Sequence, residues 1–501
     1  MEQLSGMDAS FLYMESPSLH MHVSMLAVFD PKSVPGGYSF DKLRSIVAER
    51  LAPVPVFSRR LMDVPFRLGH PYWVSDEGFD LDYHLRRAAL PSPGGIGELA
   101  SFVGEVCGRQ LDRRRPLWEM YVVEGLEGRR IALLTKIHHS AIDGVSGAEL
   151  LAHLFDLEAD PPPRDMPAPP PADTHVPSGV ELAAKALAGR ITRPMDVTKL
   201  AWTTGRAVLD VRRLRRSVGT GRAALPLSAP RISINKAITP HRSVAFSSIT
   251  LDDLKRLKRA AGTTVNDVVL AVCTGALRRY LAERGELPGD PLVAAVPVSV
   301  RPARGAPKGS NHISAMFVGL PAQLDDPMAR LQAIREGTRG AKEEHRALGA
   351  NVIMNWAEHA TPNLVAAGAR AYSQLKLADL HRPIFSLVVS NVPGPDFPLY
   401  SCGAELVAGF PLGPVFDGSG LNVTVMSYRG VVNWGFIACR DTVPDLWDLA
   451  GYVPEALEEL LAAAELGPAT PAGIAPGAGP RRRPAGARGA GGARGARPTS
   501  G

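Results

Sequence analysis

Cysteine is scarce in these 501 residues, and the four that occur, Cys107, Cys273, Cys402 and Cys439, lie far apart with no CxxC pair. That spacing indicates neither a disulfide framework nor a zinc site, and it suits a reducing cytoplasm. Long apolar runs are missing too. No uncharged stretch approaches the roughly 20 residues that span a bilayer, and Met1 to Ser10 lacks the basic and apolar regions of a signal peptide. Any membrane contact is therefore expected to be peripheral. No repeat with a period of about 20–50 residues suggests a solenoid.

A charge of one sign is also absent from most of the chain. The formal charge is +6, but residues 481–501 hold six arginines and no acid, so residues 1–480 sum to zero. Within that neutral body, residues 190–242 carry twelve Lys/Arg against Asp196 and Asp210, a local +10 balanced by acids elsewhere. A nucleic-acid binder spreads basic charge over a docking face, which this distribution does not do. The Arg/Gly tail mimics RNA-binding segments but has no interleaved aromatics to stack on bases, so no nucleic-acid partner is expected.

Length suggests two to three domains at roughly 150 residues each, and 45% hydrophobic residues are ordinary for a globular core. Patterning predicts strands over Met21–Phe29, Trp118–Glu124 and Arg130–His138, with helices over Asp41–Leu51 and Ile96–Leu111. Prolines and acids crowd Asp160 to Pro177, which reads as a linker. Helical stretches follow at Val180–Leu187 and Asp196–Arg216. A second alternating region has strands at Ser243–Ile249, Leu292–Val300, Ser386–Val389, Leu421–Tyr428 and Val431–Ala438. Its helices are expected over Leu251–Ala261, Val265–Arg284, Met328–Leu348, Ile353–His359 and Pro454–Ala464. The expected organisation is an α/β domain over 1–160, a Pro-rich linker and basic helical segment over 161–242, and a second α/β domain over 243–466. Residues 467–501 form a Gly/Ala/Pro/Arg tail too poor in apolar surface to fold alone.

The strand ending at His138 runs into His139, Ser140, Ala141, Ile142, Asp143 and Gly144, an HHxxxDG pattern. Imidazole, with an ordinary pKa of about 6.5, accepts a proton at neutral pH and returns it. Gly144 and Gly147 permit a sharp turn and close approach by substrate. Asp143 stands four residues after His139, placed to orient a ring or brace the loop. Ser140 invites a nucleophile reading, but no GxSxG elbow surrounds it. His20 and His22 share a strand face, yet no third metal ligand is evident, so a cavity-lining or surface role is expected of them.

HHxxxDG is the signature of the CoA-dependent acyltransferase superfamily, and other stretches resemble its wax ester synthase/diacylglycerol acyltransferase branch. Pro116-Leu117-Trp118 resembles the PLW motif, Asn266-Asp267 the ND motif, and Pro297 to Arg301 the PVSxR stretch. Ser390 to Pro395 matches SNVPGP, and Met7 to Leu12 and Leu421 to Gly430 are similar to the terminal signatures. The motifs fall in family order between about Met7 and Leu466. Ser24 and Ser310 stand where the family often has Gly. Peptide-synthetase condensation domains share HHxxxDG, but no carrier module accompanies it here.

The resemblance implies two chloramphenicol-acetyltransferase-like domains with mixed sheets and flanking helices, joined by a linker, with the active site between them. It implies direct transfer from acyl-CoA, a co-substrate, to an alcohol, with no permanently bound cofactor and no metal. His139 would be general base, His138 a supporting residue, Asp143 a loop brace and Gly144 the turn. Asn266 would position or polarise the thioester, or else cap the helix beginning near Asp267. Pro116, Leu117 and Trp118 would organise the fold or line the acyl channel, and Ser390–Pro395 would form a rigid crossing. The expected product is triacylglycerol from diacylglycerol. A wax ester from a long-chain alcohol is the alternative, and a non-catalytic lipid-surface protein the rival of another class. The basic helix of 196–216 is either a membrane or lipid-droplet contact or a connector.

Overall fold

A computed structural model describes residues 1–144, 153–162, 164–168, 178–184, 224–225, 227–299, 313–348 and 362–467. The two apolar runs ahead of the paired histidines become central strands because both their faces are covered. All of β7 (Ile131–His138) and all but the last residue of β6 (Trp118–Glu124) are buried. β7 pairs antiparallel with β6 and with β2 (His22–Asp30), while β5 (Leu85–Ala89) runs parallel to β6. The small strands β1 (Glu2–Gln3), β3 (Arg59–Met62) and β4 (Tyr72–Ser75) form a separate sheet. Helices α1 (Gly6–Met14), α2 (Phe40–Leu51), α3 (Leu81–His84) and α4 (Ile96–Cys107) belong to the same part of the chain. α4 stops short of the expected Leu111 because Gly108 caps it. The fully buried Lys136 donates to Val106 O and Arg109 O at that end, where carbonyls lack helical partners.

The second sheet has the order β10–β9–β11–β14–β15–β8. Its strands are β8 (Arg242–Thr250), β9 (Leu292–Ser299), β10 (Ile313–Leu320), β11 (Leu387–Val392), β14 (Leu421–Tyr428) and β15 (Val431–Cys439). Helices α5 (Leu251–Ala260), α6 (Val265–Glu283), α7 (Pro327–Leu348) and α9 (Leu446–Ala463) accompany it, and α8 (Pro362–Gln374) packs against α1. α9 starts eight residues before the expected Pro454, because Leu446, Leu449, Ala450 and Val453 already present a buried helical face. Proline is accommodated inside it.

The two halves are sewn together by strand exchange. After β11 the chain passes Pro393-Gly394-Pro395 and enters β12 (Tyr400–Ser401) and β13 (Ala404–Leu412). These join the first sheet, which has the order β12–β13–β2–β7–β6–β5. A cut at the linker therefore does not separate the sheets. Gly394 is needed at the crossing, since a Cβ there would lie 2.1 Å from Ser427 O. The architecture is α/β with two mixed sheets and flanking helices. Residues 179–184 are helical. The rest of Val180–Leu187, the basic helix of 196–216, Ile353–His359 and the tail beyond 467 lie outside the described residues. No single helix among the described residues is long and apolar enough to cross a membrane.

Candidate active site

Alternation along β7 sorts the histidine pair onto opposite faces. Leu133, Thr135, Ile137 and His139 line a cavity of about 990 Å³ between the sheets, whereas Lys136 and His138 point away from it. Two backbone bonds fix the strand end: His138 N–H donates to Leu117 O at 2.9 Å and His139 N–H to Met21 O at 2.7 Å. A 3₁₀ turn over His139–Gly144 follows. The side chain of Asp143 and residues 145–152 lie outside the described residues.

The cavity walls are chiefly apolar. Phe11 and Met14 of α1, Met21 just before β2, Val23 and Met25 of β2, and Val365 and Ala369 of α8 contribute from one side. Ala295, Phe317 and Val388 face them from the second sheet. Its volume is at the upper end for small-molecule sites, as a lipid chain requires. The half-buried His139 ring stacks on Phe11 with centroids 4.5 Å apart. Loss of solvation, and secondarily the charge of His138, push its pKa down to about 4. It is thus a neutral imidazole throughout the neutral pH range, facing an apolar chamber.

His138 is almost fully buried behind this wall. Its Nδ1 accepts from Ser140 N–H at 3.1 Å and contacts Ser140 Oγ at 2.7 Å, which closes the turn. That engagement gives Ser140 a structural task in place of a nucleophilic one. The other ring nitrogen, Nε2, lies 3.3 Å from Glu15 Oε1. Glu15 also receives Met21 N–H at 3.0 Å and pairs with Arg113 at 2.6 Å. Burial would raise the Glu15 carboxyl, but His138 and then Arg113 outweigh it and hold the pKa at about 2. Glu15 was not singled out from the sequence, where a lone acid over a hundred residues from the motif gives no signal. Glu15→Gln should lower kcat about tenfold by loosening the His138 turn, with KM little changed. Its melting temperature should also fall less than that of wild type as pH drops from about 4.5 to about 2, because only the carboxylate loses a favourable charge there.

The other expected site residues are placed as follows. Asn266 stands half-buried on the first turn of α6 and is not among the cavity-lining residues. Nor is it the helix cap, because Thr264 takes that position and Asp267 closes the reciprocal capping box. Asp267 further accepts from Thr263 Oγ1 and from Thr338 Oγ1 of α7, both at 2.7 Å. Asp267→Ala should therefore cost about 2–3 kcal/mol in chemical denaturation, whereas Asn266→Ala should leave stability unchanged and report only on turnover.

Pro116, Leu117 and Trp118 organise the fold; none lines the cavity. Trp118 donates through Nε1 to Phe57 O at 2.9 Å and stacks on His84. His20 and His22 are neither cavity-lining nor surface residues. Both are buried, on the strand face opposite Met21 and Val23, with rings 5.8 Å apart. Among the described residues no three His, Cys, Asp or Glu side chains group as a metal site would.

The family model described as wax ester synthase/diacylglycerol acyltransferase catalytic domain matches residues 4–269, and that of the WS/DGAT C-terminal domain matches residues 309–461. A putative diacylglycerol O-acyltransferase of Mycobacterium tuberculosis strain H37Rv is 40% identical over 464 residues, covering 92% of this chain and 90% of its own. A probable diacylglycerol O-acyltransferase of the same strain, tgs2, is 35% identical over 467 residues, with coverage of 92% and 99%. The solved wax ester synthase/diacylglycerol acyltransferase of Marinobacter aquaeolei VT8 superposes with a TM-score of 0.65 at 33% identity, over 93% of this chain and all of that one. The first condensation domain of the calcium-dependent antibiotic synthetase reaches a TM-score of 0.51 at 14% identity, over 95% and 99% of the two chains, a likeness of fold alone.

Two joined α/β halves with HHxxxDG at their shared cavity define an acyl-CoA-dependent acyltransferase. The chain belongs to the wax ester synthase/diacylglycerol acyltransferase family.

Proposed function

We propose that this enzyme acylates diacylglycerol with acyl-CoA to give triacylglycerol, using His139 as the general base. One observation carries the reading: His139 is the imidazole that faces the apolar cavity, and burial keeps it unprotonated at neutral pH. The acceptor O–H gives its proton to His139 as its oxygen attacks the thioester carbonyl carbon. The C–S bond then breaks, the ester is released, and the imidazolium returns the proton to the CoA thiolate. His138 supports by holding the turn, Asp143 braces the loop, and Asn266, on the first turn of α6 and outside the cavity lining, is assigned to thioester positioning.

The names of the mycobacterial relatives support diacylglycerol as acceptor. The Marinobacter enzyme's double name keeps a long-chain fatty alcohol, and hence a wax ester, as the second reading. The protein is placed in the cytoplasm, meeting the inner membrane face or lipid droplets peripherally, because its proposed acceptor and product partition into lipid. The test is CoA release from long-chain acyl-CoA with diacylglycerol and a long-chain alcohol supplied separately. Faster release with diacylglycerol supports the first reading, and faster release with the alcohol supports the second. No release with either returns the non-catalytic lipid-surface reading.

A further inference from the structure

We propose that the protein docks on an anionic phospholipid surface through an apolar rim at the mouth of the acyl cavity. The rim comprises Phe66, Leu364, Leu375, Leu380, Ile384 and Val392. Thirteen large hydrophobic residues are exposed among the described residues, and six of them fall between Leu364 and Phe397. That concentration is unlike the scattered single residues normal on a soluble surface. Leu364, Ile384 and Val392 also line the cavity, so part of its apolar wall is itself exposed to solvent. A cavity filled only from water would gain from a polar rim at that position.

The rim is built by named contacts. Asn363 Nδ2 donates to Phe66 O at 2.8 Å, which brings Phe66 beside Leu364 at the start of α8. Phe66 is 85% exposed and Leu364 75%. Phe66 and Arg67 both have positive φ, 55° and 51°, a conformation that non-glycine residues resist. The strain is not offset by burying the phenyl ring in the core, since the ring projects outward. Leu227, itself about half exposed, sits beside Ile384 and donates its N–H to Ile384 O.

Charge selects the partner. Residues 362–392 contain Arg370, Lys376 and Arg382 against one acid, Asp379, and Asp379 accepts from Ala237 N–H through Oδ1. Arg67 adds a further cation beside Phe66. Arg382 pairs with Asp290 at 3.8 Å and Arg67 is half-buried, so the exposed Arg370 and Lys376 are the cations that flank the apolar side chains, a combination that fits an interface of acyl chains and phosphate headgroups. The inference rests on the proposed lipid acceptor, which would then enter from the lipid phase without crossing water. It draws on none of the arginines of the basic helix expected over 196–216.

The test uses the full-length protein with vesicles of phosphatidylcholine mixed with an equal part of phosphatidylglycerol. The double variant Phe66→Glu/Leu380→Glu touches neither cavity wall nor His139. It should co-sediment with vesicles about tenfold or more weakly than wild type. Its melting temperature and its turnover of a short, water-soluble alcohol should be unchanged. Wild-type binding retained by the variant would overturn the proposal. So would binding lost only when Arg212, Arg213, Arg215 and Arg216 are changed to Ser, or a wild-type dimer that the rim variant dissolves while vesicle binding persists. Failure of wild type to release CoA with either diacylglycerol or a long-chain alcohol would instead overturn the proposed reaction, with vesicle binding still deciding the docking face.

Discussion

His139→Gln is expected to lower kcat by about 10²–10⁴-fold while the protein keeps its melting temperature at pH 7. Gln matches much of the imidazole's reach and can still lie against Phe11, but it cannot take the acceptor's proton. The pH profile gives a sharper check. With its pKa at about 4 in the apolar cavity, His139 stays neutral well below pH 6. The acid limb of wild-type kcat/KM should therefore fall near pH 4, not near the ordinary histidine value. Stability follows the same sign. The unfolded chain takes up the His139 proton near pH 6.5 and the folded chain only near 4, so wild type loses stability as pH falls through that window. The Gln variant lacks this loss. Unchanged CoA release in His139→Gln, or an acid limb centred near 6.5, would remove His139 from the mechanism.

The motif and its strand were legible because each is local. HHxxxDG closes a buried strand, and periodicity places Trp118–Glu124 and Leu421–Tyr428 at their observed limits. The exchanged strand β13 was not legible. Gly409 and Pro411 punctuate it, and such residues argue against a strand inside a sheet, yet β13 lies between β12 and β2. A Cβ at Gly409 would come within 2.5 Å of Met426 Cε, so the missing side chain makes room where the two sheets meet. The ND motif was legible as a pair but not in its division of labour. Spacing cannot say that Thr264 caps the helix and that Asp267 ties it to α7. Glu15 was hidden for a topological reason: only the packing of α1 on the His139–Gly144 turn brings it to His138.

Asp156→Ala should have the largest effect on stability, at a residue that no motif or periodicity marks. Asp156 follows the His139–Gly144 turn by twelve residues and is fully buried. Its carboxylate accepts from Arg50 at 2.7 Å and Arg164 at 2.7 Å, while Arg50 also donates to Leu154 O. Its backbone exchanges two hydrogen bonds with Tyr400 of β12, at 2.7 and 2.8 Å. The returning chain is thereby pinned both to α2 and to the exchanged strand. Alanine leaves the Arg50 guanidinium buried beside one carbonyl, and an uncompensated buried charge costs about 3–5 kcal/mol. The expected result is a large drop in melting temperature together with a fall in kcat, since the pinned segment carries Leu154 and Phe155 of the cavity wall. Asp156→Leu combined with Arg50→Met should recover much of the stability, because apolar pairs of similar volume often replace buried ion pairs without loss. If Asp156→Ala costs less than about 1 kcal/mol, the range of exposed pairs, the clamp is not what holds this segment.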